Sequence, residues 1–230
     1  SGADLPGRLA LTKSDFPATM IRRSLDDQGN ELWHDIAAGE RFTAFLGVDV
    51  GSTSTKAVLT DAATGSIRLD VYTRTAGDPV GATRSIFRSI EALITSLGSS
   101  VQIAGCGSTG SGRKLVGTII SADLIVNEIS AHAMGAKTVD ADVETIFEIG
   151  GQDSKFIRLE GGRIVDVNMN YVCAAGTGSF IEEQAGTLGM SLDEISEAVM
   201  GAAPLPNSDR CTVFMNQEIT RQLSCGYPRD

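Results

Sequence analysis

Aromatic and basic residues are both scarce in this 230-residue chain. Phe, Trp and Tyr make up 5% of it, and 19 Lys and Arg stand against 29 Asp and Glu, which gives a formal net charge of −10. Binding to nucleic acid or to an anionic membrane surface requires clustered basic side chains that contact phosphates. The apolar runs are also far shorter than the roughly 20 residues that cross a bilayer. The composition therefore predicts a protein with neither a nucleic acid nor a membrane as partner.

Cysteines are few and are not paired in the sequence. The chain has Cys106, Cys173, Cys211 and Cys225, no C-x-x-C pair, and an N-terminus without a secretory pattern. In a chain of this size, such cysteines indicate reduced thiols, core residues or metal ligands rather than a disulfide framework. The predicted compartment is the cytoplasm.

The organisation of the chain is a repeated pattern of strand, turn and strand, each time with an acidic residue beside a Gly-rich turn. This pattern, with helical spacing between the strands, predicts an α/β protein with two related lobes. Residues 1–43 are predicted to be a linker or an extension from a preceding domain, with an extension packed on the main fold as the alternative. Residues 44–139 form the first predicted lobe, and residues 140–230 form a second, incomplete lobe that contains Cys173 and Cys211. The predicted strands are 44–50, 55–60, 66–72, 101–106, 143–149, 155–159 and 163–168, and the predicted helices are 79–97, 124–138, 178–188, 191–200 and 212–223.

The first turn lies in the segment from Gly47 to Lys56 and follows a buried strand that ends beside Asp49. A tight turn of small residues can direct several backbone N–H groups to one point, which is typical of a phosphate site. A carboxylate near phosphates requires a divalent cation such as Mg²⁺ between them. Lys56 could neutralise the remaining charge, and the alternative is an ordinary hairpin with a polar turn. The candidate phosphate-binding residues are Gly51, Ser52, Thr53, Ser54, Thr55 and Lys56.

A second turn of the same kind follows the strand that ends at Ile149. Gly150, Gly151 and Gln152 form the turn, and Asp153 follows it. Two such hairpins facing one another would clamp the β- and γ-phosphates of a nucleotide. Asp153 would then bind a water molecule of Mg²⁺ or orient the attacking water.

Two further glycine-rich patterns lie between these turns. Gly105–Gly110 matches the G-x-G-x-x-G dinucleotide fingerprint, but it does not belong to the first βαβ unit, so a Rossmann site is disfavoured. The following residues approach a P-loop, but Arg113 stands where the lysine should be. This loop is predicted to supply backbone amides to the site, with Arg113 either touching phosphate or paired within the protein.

Cys173 and Cys211 each come directly before a predicted helix. The dipole and the free N–H groups of a helix N-terminus stabilise a thiolate or an anionic cluster. Two thiolates are too few for a closed site, whereas a symmetric dimer supplies four, which suits a 4Fe-4S cluster on the two-fold axis. The alternative is a pair of buried structural thiols.

Taken together, four segments resemble the activator family of 2-hydroxyacyl-CoA dehydratases and benzoyl-CoA reductases (BadF/BcrA-type ATPases). The segments are residues 47–56, 150–155, 173–178 and 211–214, and the resemblance extends over about residues 44–225. The family is similar in fold to the actin, hexokinase and sugar-kinase superfamily, which has two ribonuclease-H-like lobes.

The resemblance implies a homodimer with one 4Fe-4S cluster, held by Cys173 and Cys211 of both subunits. It also implies hydrolysis of ATP with Mg²⁺, which drives one-electron transfer to a dehydratase or reductase partner from a ferredoxin- or flavodoxin-like donor. Asp49, Asp153 and Glu128 are the implied catalytic residues, and Glu128 is alternatively a surface carboxylate of an amphipathic helix. Gly176, Thr177 and Gly178 are implied to bind the nucleotide.

Two other functions are compatible with the same residues. Family members continue beyond the second cysteine into a Gly-rich segment that contacts adenosine, so the resemblance implies that the C-terminal part of the fold is truncated here. A small-molecule kinase of the same superfamily, with Asp153 as base, is one alternative. A non-catalytic regulatory domain of a larger protein is the other.

Overall fold

The computed structural model describes residues 23–170, 174, 176–202 and 211–227. The chain divides into two compact units. The N-terminal unit comprises residues 23–146 and Ile157–Asp166, and the C-terminal unit comprises Phe147–Phe156 and the described residues from Val167 onward. The elements are β1 (Ser24–Leu25), β2 (Glu31–His34), β3 (Arg41–Val50), β4 (Ser54–Asp61), β5 (Ile67–Arg74), α1 (Pro79–Ser96), β6 (Ser100–Thr109), α2 (Arg113–Ile119), β7 (Leu124–Ile125), α3 (Glu128–Val139), β8 (Thr145–Ile149), β9 (Ser154–Glu160), β10 (Arg163–Met169), α4 (Gly178–Leu188), α5 (Leu192–Ala198) and α6 (Thr212–Ser224).

The N-terminal unit is built on a seven-stranded mixed sheet with the order β1-β2-β5-β4-β3-β6-β7. Strands β3, β4 and β5 form an antiparallel meander, and β6 returns through α1 to pair with β3 in parallel. Alternate residues of a strand point to opposite faces, so one face of the meander is mostly apolar. The core lies between this face and α1, and it includes Val48, Val50, Ala57, Leu59, Leu69, Val71 and Ile86.

Residues 24–43 pack on the main fold, as in the alternative considered for this segment, and contribute β1, β2 and the start of β3 to the sheet. Strand β2 pairs antiparallel with β5, and Leu32 and Ile36 are buried in the core. Asn30 is 2% exposed, and its Nδ2 donates hydrogen bonds of 2.8 Å to the hydroxyl oxygens of Ser85 and Ser89 on α1. A few separate buried residues hold this segment on the fold. Because they are isolated along the chain, the sequence shows no sustained hydrophobic period there.

Helix α3 begins later than the predicted helix over residues 124–138. Leu124 and Ile125 form the short strand β7, which pairs in parallel with β6. Asn127 then caps the helix, because its side chain accepts a hydrogen bond of 2.9 Å from the N–H of Ile129. A side chain of this type favours a cap over a helix interior, which is why the helix starts at Glu128.

The second sheet has three strands in the order β10-β9-β8, and the boundary between the two units runs through these strands. In the N-terminal unit, Ile157 and Leu159 of β9 pack with Ala133 of α3. The C-terminal unit continues into α4, α5 and α6. The lobe boundary proposed near residue 140 stays a prediction. Within the described residues, no helix is long and apolar enough to cross a membrane.

Candidate functional site

The first predicted turn joins β3 to β4 and places an acid opposite a lysine. Asp49 and Lys56 are partners in the β3–β4 register, and Lys56 Nζ lies 3.2 Å from Asp49 Oδ2. The N–H of Gly51 donates a 2.9 Å hydrogen bond to the carbonyl oxygen of Ser54, which closes the turn. The side chains of Asp49 and Lys56 are 34% and 42% exposed, so both remain accessible to a ligand.

Thr75 supports this turn from inside the protein. Its hydroxyl donates to the carbonyl oxygen of Gly51 at 2.8 Å and lies 2.9 Å from the hydroxyl of Thr55. Its N–H donates to the carbonyl oxygen of Thr53. Thr55 is fully buried, so its hydroxyl holds the turn in shape, whereas Ser52 is exposed and Thr53 and Ser54 are half-buried. No local sequence signal indicates Thr75, because it lies on a different strand connection.

The glycine-rich loop after β6 packs directly on the first turn. Since β6 is parallel to β3 and Thr109 lies opposite Asp49, both strands end at the same edge of the sheet. Gly110 has a φ of +86°, and the N–H of Gly112 donates to the carbonyl oxygen of Val50 at 2.8 Å. Arg113 Nη1 donates to the carbonyl oxygen of Gly110 at 2.9 Å. Of the two roles considered for this arginine, the structure shows pairing within the protein.

Gly110→Ala is expected to lower the free energy of unfolding by more than the same substitution at another glycine with a left-handed backbone. A Cβ at Gly110 would lie 2.5 Å from both Asp49 Oδ1 and the carbonyl oxygen of Val50. Strain of the left-handed backbone costs about 1 kcal/mol, and relief of the clash costs roughly a further 1–3 kcal/mol. Denaturant unfolding measures the sum.

Gly29→Ala is the matched control for this substitution. Gly29 has a φ of +76°, and no surrounding atom lies within 4 Å of the position that a Cβ would occupy there. It therefore isolates the backbone strain from the clash. An equal loss of unfolding free energy in the two variants would show that the contact with Asp49 and Val50 carries no cost.

The second predicted turn, in the C-terminal unit, repeats the geometry of the first. The N–H of Gly150 donates to the carbonyl oxygen of Asp153 at 2.9 Å, as Gly51 does to Ser54. Lys155 Nζ lies 2.9 Å from Glu148 Oε2 and 2.8 Å from Asp153 Oδ1. Glu148 precedes Lys155 by 7 residues, as Asp49 precedes Lys56.

The counterpart of Asp49 in the second turn is therefore Glu148, a residue to which the sequence analysis gave no role. The equal spacing of acid and lysine in the two hairpins is the signal that could have identified Glu148 and Lys155. Together with Gly176 and the two asparagines Asn168 and Asn170, these residues line a cavity of about 350 Å³.

The start of α4 is hydrogen-bonded to the second turn. The N–H groups of Gly178 and Ser179 donate to the carbonyl oxygens of Gly150 and Gly151, at 2.8 and 3.1 Å. Thr177 is fully buried, and its hydroxyl donates to the carbonyl oxygen of Ala174. Of the predicted nucleotide-binding residues in this segment, Gly178 thus supports the second turn through its backbone, Thr177 is internal, and Gly176 lines the cavity.

Cys211 lies at the N-cap of α6, half-buried and free of any disulfide. The first turn of this helix exposes two large apolar side chains, Val213 at 60% and Phe214 at 58%. Cys173 lies outside the described residues. Burial, with a smaller contribution from the Asp123 carboxylate, raises the pKa of the Cys106 thiol. Cys106 is therefore a protonated thiol at neutral pH.

Glu128, the third implied catalytic residue, is the half-buried first residue of α3. A groove of about 500 Å³ in the N-terminal unit contains Asp49 and Lys56 and is also lined by Ala131 and Met134 of α3. Glu128 is not one of the described residues that line this groove. The structure thus brings Asp49 and Lys56 together and leaves the role of Glu128 a prediction.

Comparison with protein families identifies the class of this protein. Residues 46–229 match the BadF/BadG/BcrA/BcrD ATPase family. The match extends over most of the chain, and the chain belongs to this family. It is an ATPase.

Individual relatives agree with this assignment. The chain is 38% identical over 187 residues to the activator of lactoyl-CoA dehydratase from Anaerotignum propionicum, a match that covers 80% of this chain and 70% of the relative. The crystal structure of (R)-2-hydroxyglutaryl-CoA dehydratase component A from Acidaminococcus fermentans is 33% identical, with a TM-score of 0.69, over 81% of this chain and 70% of the other. The structure of the activator of 2-hydroxyisocaproyl-CoA dehydratase from Clostridium difficile, solved with bound ADPNP, is 30% identical to this chain, with a TM-score of 0.66. That match covers 80% of this chain and 66% of the activator. The resemblance to the activators and the predicted α/β fold are thereby confirmed.

Proposed function

We propose that this chain activates a 2-hydroxyacyl-CoA dehydratase or a benzoyl-CoA reductase-like enzyme by coupling ATP hydrolysis to one-electron transfer. The observation that carries the proposal is the pair of turns with the same closing hydrogen bond and the same acid–lysine spacing, in a chain whose relatives are named as activators of such dehydratases. The partner is then the dehydratase or reductase component, and the electron donor is a ferredoxin- or flavodoxin-like protein.

For the nucleotide, the first turn supplies phosphate contacts from Gly51–Ser54 and Lys56, and the buried Thr55 supports the shape of the turn. Ser52 and Lys56 have the exposure that such contacts need. Asp49 lies beside the turn, where its carboxylate fits a water-mediated Mg²⁺ contact. In the second turn, Asp153 is 35% exposed and orients the attacking water or a water molecule of Mg²⁺. Glu128 stays in the proposal as a third acidic residue toward the nucleotide or the cation.

A 4Fe-4S cluster would be held by Cys173 and Cys211 of two subunits. Cys211 fits this role, because it is a free, half-buried thiol at the N-terminus of a 13-residue helix, where the helix dipole favours an anionic cluster. The exposed side chains of Val213 and Phe214 beside it support a contact with a second subunit. The cluster supplies a one-electron carrier. Free thiols and such a cluster fit the reducing environment of the cytoplasm.

Metal analysis and ATP turnover of the protein prepared without oxygen test this proposal. We expect about four iron and four sulfide ions per dimer and ATP hydrolysis that depends on Mg²⁺. A protein that stays colourless after reconstitution with iron and sulfide would overturn the electron-transfer function. Phosphorylation of a sugar or another alcohol would identify a kinase instead, and failure to bind Mg-ATP at all would favour a regulatory domain.

A further inference from the structure

The two turns carry a lysine at equivalent positions, but the surroundings of these lysines differ. The side chain of Lys56 is 42% exposed, and its contact with Asp49 is a single ion pair of 3.2 Å. The side chain of Lys155 is 3% exposed and contacts two carboxylates, Glu148 at 2.9 Å and Asp153 at 2.8 Å. Equivalent positions in the two hairpins thus hold one accessible and one enclosed ammonium group.

The difference arises from which face of each strand is covered. In β4 the buried residues are Thr55, Ala57 and Leu59, so Lys56 lies on the other face, which lines the 500 Å³ groove. In β9 the buried residues are Lys155, Ile157 and Leu159. Since alternate residues share a face, Lys155 belongs to the covered face of its strand.

A buried ammonium group cannot exchange its partners easily. Moving Lys155 toward a ligand would break two charge-assisted contacts and would leave Glu148 and Asp153 close together without a cation. Both ion pairs are short, and Glu148 is itself only 18% exposed. Lys155 is therefore fixed in place, whereas Lys56 is free to turn toward an anion.

We propose that Lys155 is a positioning residue that holds Asp153 for catalysis, while Lys56 contacts the phosphates of the nucleotide. This inference rests on the proposed ATP hydrolysis. Lys155 anchors Oδ1 of Asp153, and the Asp153 side chain as a whole stays 35% exposed. An anchored carboxylate that remains open on one side presents an oxygen in a defined direction to a water molecule.

Steady-state ATP hydrolysis by Lys155→Met and Lys56→Met tests this division of roles. Lys155→Met is expected to lower kcat about tenfold or more with KM for ATP within about twofold of the wild type, because only the reacting geometry is lost. Lys56→Met is expected to raise KM and the dissociation constant of the nucleotide about tenfold, because a phosphate contact is lost. A rise in KM without a fall in kcat in Lys155→Met would show that Lys155 binds phosphate, and unchanged kcat and KM would show that it has no role.

A double-mutant cycle with Asp153→Asn separates positioning from a merely structural role. If Lys155 acts through Asp153, the double variant Asp153→Asn/Lys155→Met has the same kcat as Asp153→Asn alone. The double variant also retains the net charge of the wild-type trio, so it decides the question even if Lys155→Met does not fold. A kcat clearly below that of Asp153→Asn would overturn the inference. If the wild type hydrolyses ATP and the double variant has this lower kcat, only the inference is contradicted. If the wild type hydrolyses no ATP, the proposed function and the inference are overturned together.

Discussion

Cys211→Ser and Cys173→Ser are each expected to remove the cluster completely from protein reconstituted without oxygen. Each substitution deletes two of the four thiolates in a symmetric dimer, because both subunits carry it. A serine hydroxyl is a poor replacement, since iron–sulfur clusters are held by thiolates. We expect bound iron to fall from about four per dimer to background, together with loss of the visible absorption and of electron transfer. Iron analysis and absorption spectroscopy measure this result.

Cys225→Ser is the matched control, because Cys225 lies at the opposite end of the same helix from Cys211 and is exposed. Cys106→Ser is a second control, since the Cys106 thiol is held in its protonated form by burial. Both controls are expected to keep the full iron content. Retention of iron by Cys211→Ser, or its loss in Cys225→Ser, would contradict the assignment of the ligands.

Asp49→Asn is expected to lower kcat for ATP hydrolysis at least about a hundredfold, the order of effect seen when one group that stabilises transition-state charge is removed. The amide has nearly the shape of the carboxylate but lacks the charge that the proposed Mg²⁺ contact of Asp49 needs. Stability should change little, because a pair as exposed as Asp49 and Lys56 contributes at most about 1 kcal/mol. Initial rates with saturating Mg-ATP, together with the Tm, measure the two effects.

Asp61→Asn is the matched control, because it is expected to change the stability and not the catalytic rate. Asp61 is the last residue of β4 and lies at the end of the β3–β4 pair that is far from the turn. The N–H groups of Thr64 and Ala63 and the neighbouring Arg68 lower the pKa of the Asp61 carboxyl. A lowered pKa means that the ionised form stabilises the fold above the ordinary pKa of aspartate, and that this stabilisation is lost as the pH falls. Asp61→Asn should therefore lower the Tm and leave kcat unchanged. If Asp49→Asn kept the wild-type kcat, Asp49 would have no part in catalysis.

Much of the sheet could be predicted from the sequence, because its signals are local. The three strands of the meander alternate apolar and polar residues between short turns, and all three agree with the structure apart from small shifts at their ends. Helix α1 is predictable from its apolar spacing and from the Pro at its start. The match of residues 46–229 to the ATPase family confirms the resemblance drawn from the turn and cysteine segments, and the roles of their residues stay predictions.

The residues that sequence reasoning missed depend on contacts between distant segments. Thr75 supports the first turn from a position 24 residues after Gly51, and no sequence pattern near either residue indicates the contact. Lys155 is buried because it lies on the covered face of β9, and the sequence does not show which face is covered. The glycine-rich turn indicated only the role of the neighbouring acid, Asp153. Glu148 was missed for the same reason, although its spacing to Lys155 repeats that of Asp49 to Lys56.

The two backbone hydrogen bonds between α4 and the second turn have a mechanical consequence. They join peptide groups and involve no side chain, so a substitution at Gly178 or Ser179 leaves the donor in place unless the new residue is proline. A displacement of Gly150 or Gly151 would therefore also displace the first residues of the eleven-residue helix α4, because both hydrogen bonds start from its N-terminal peptide groups.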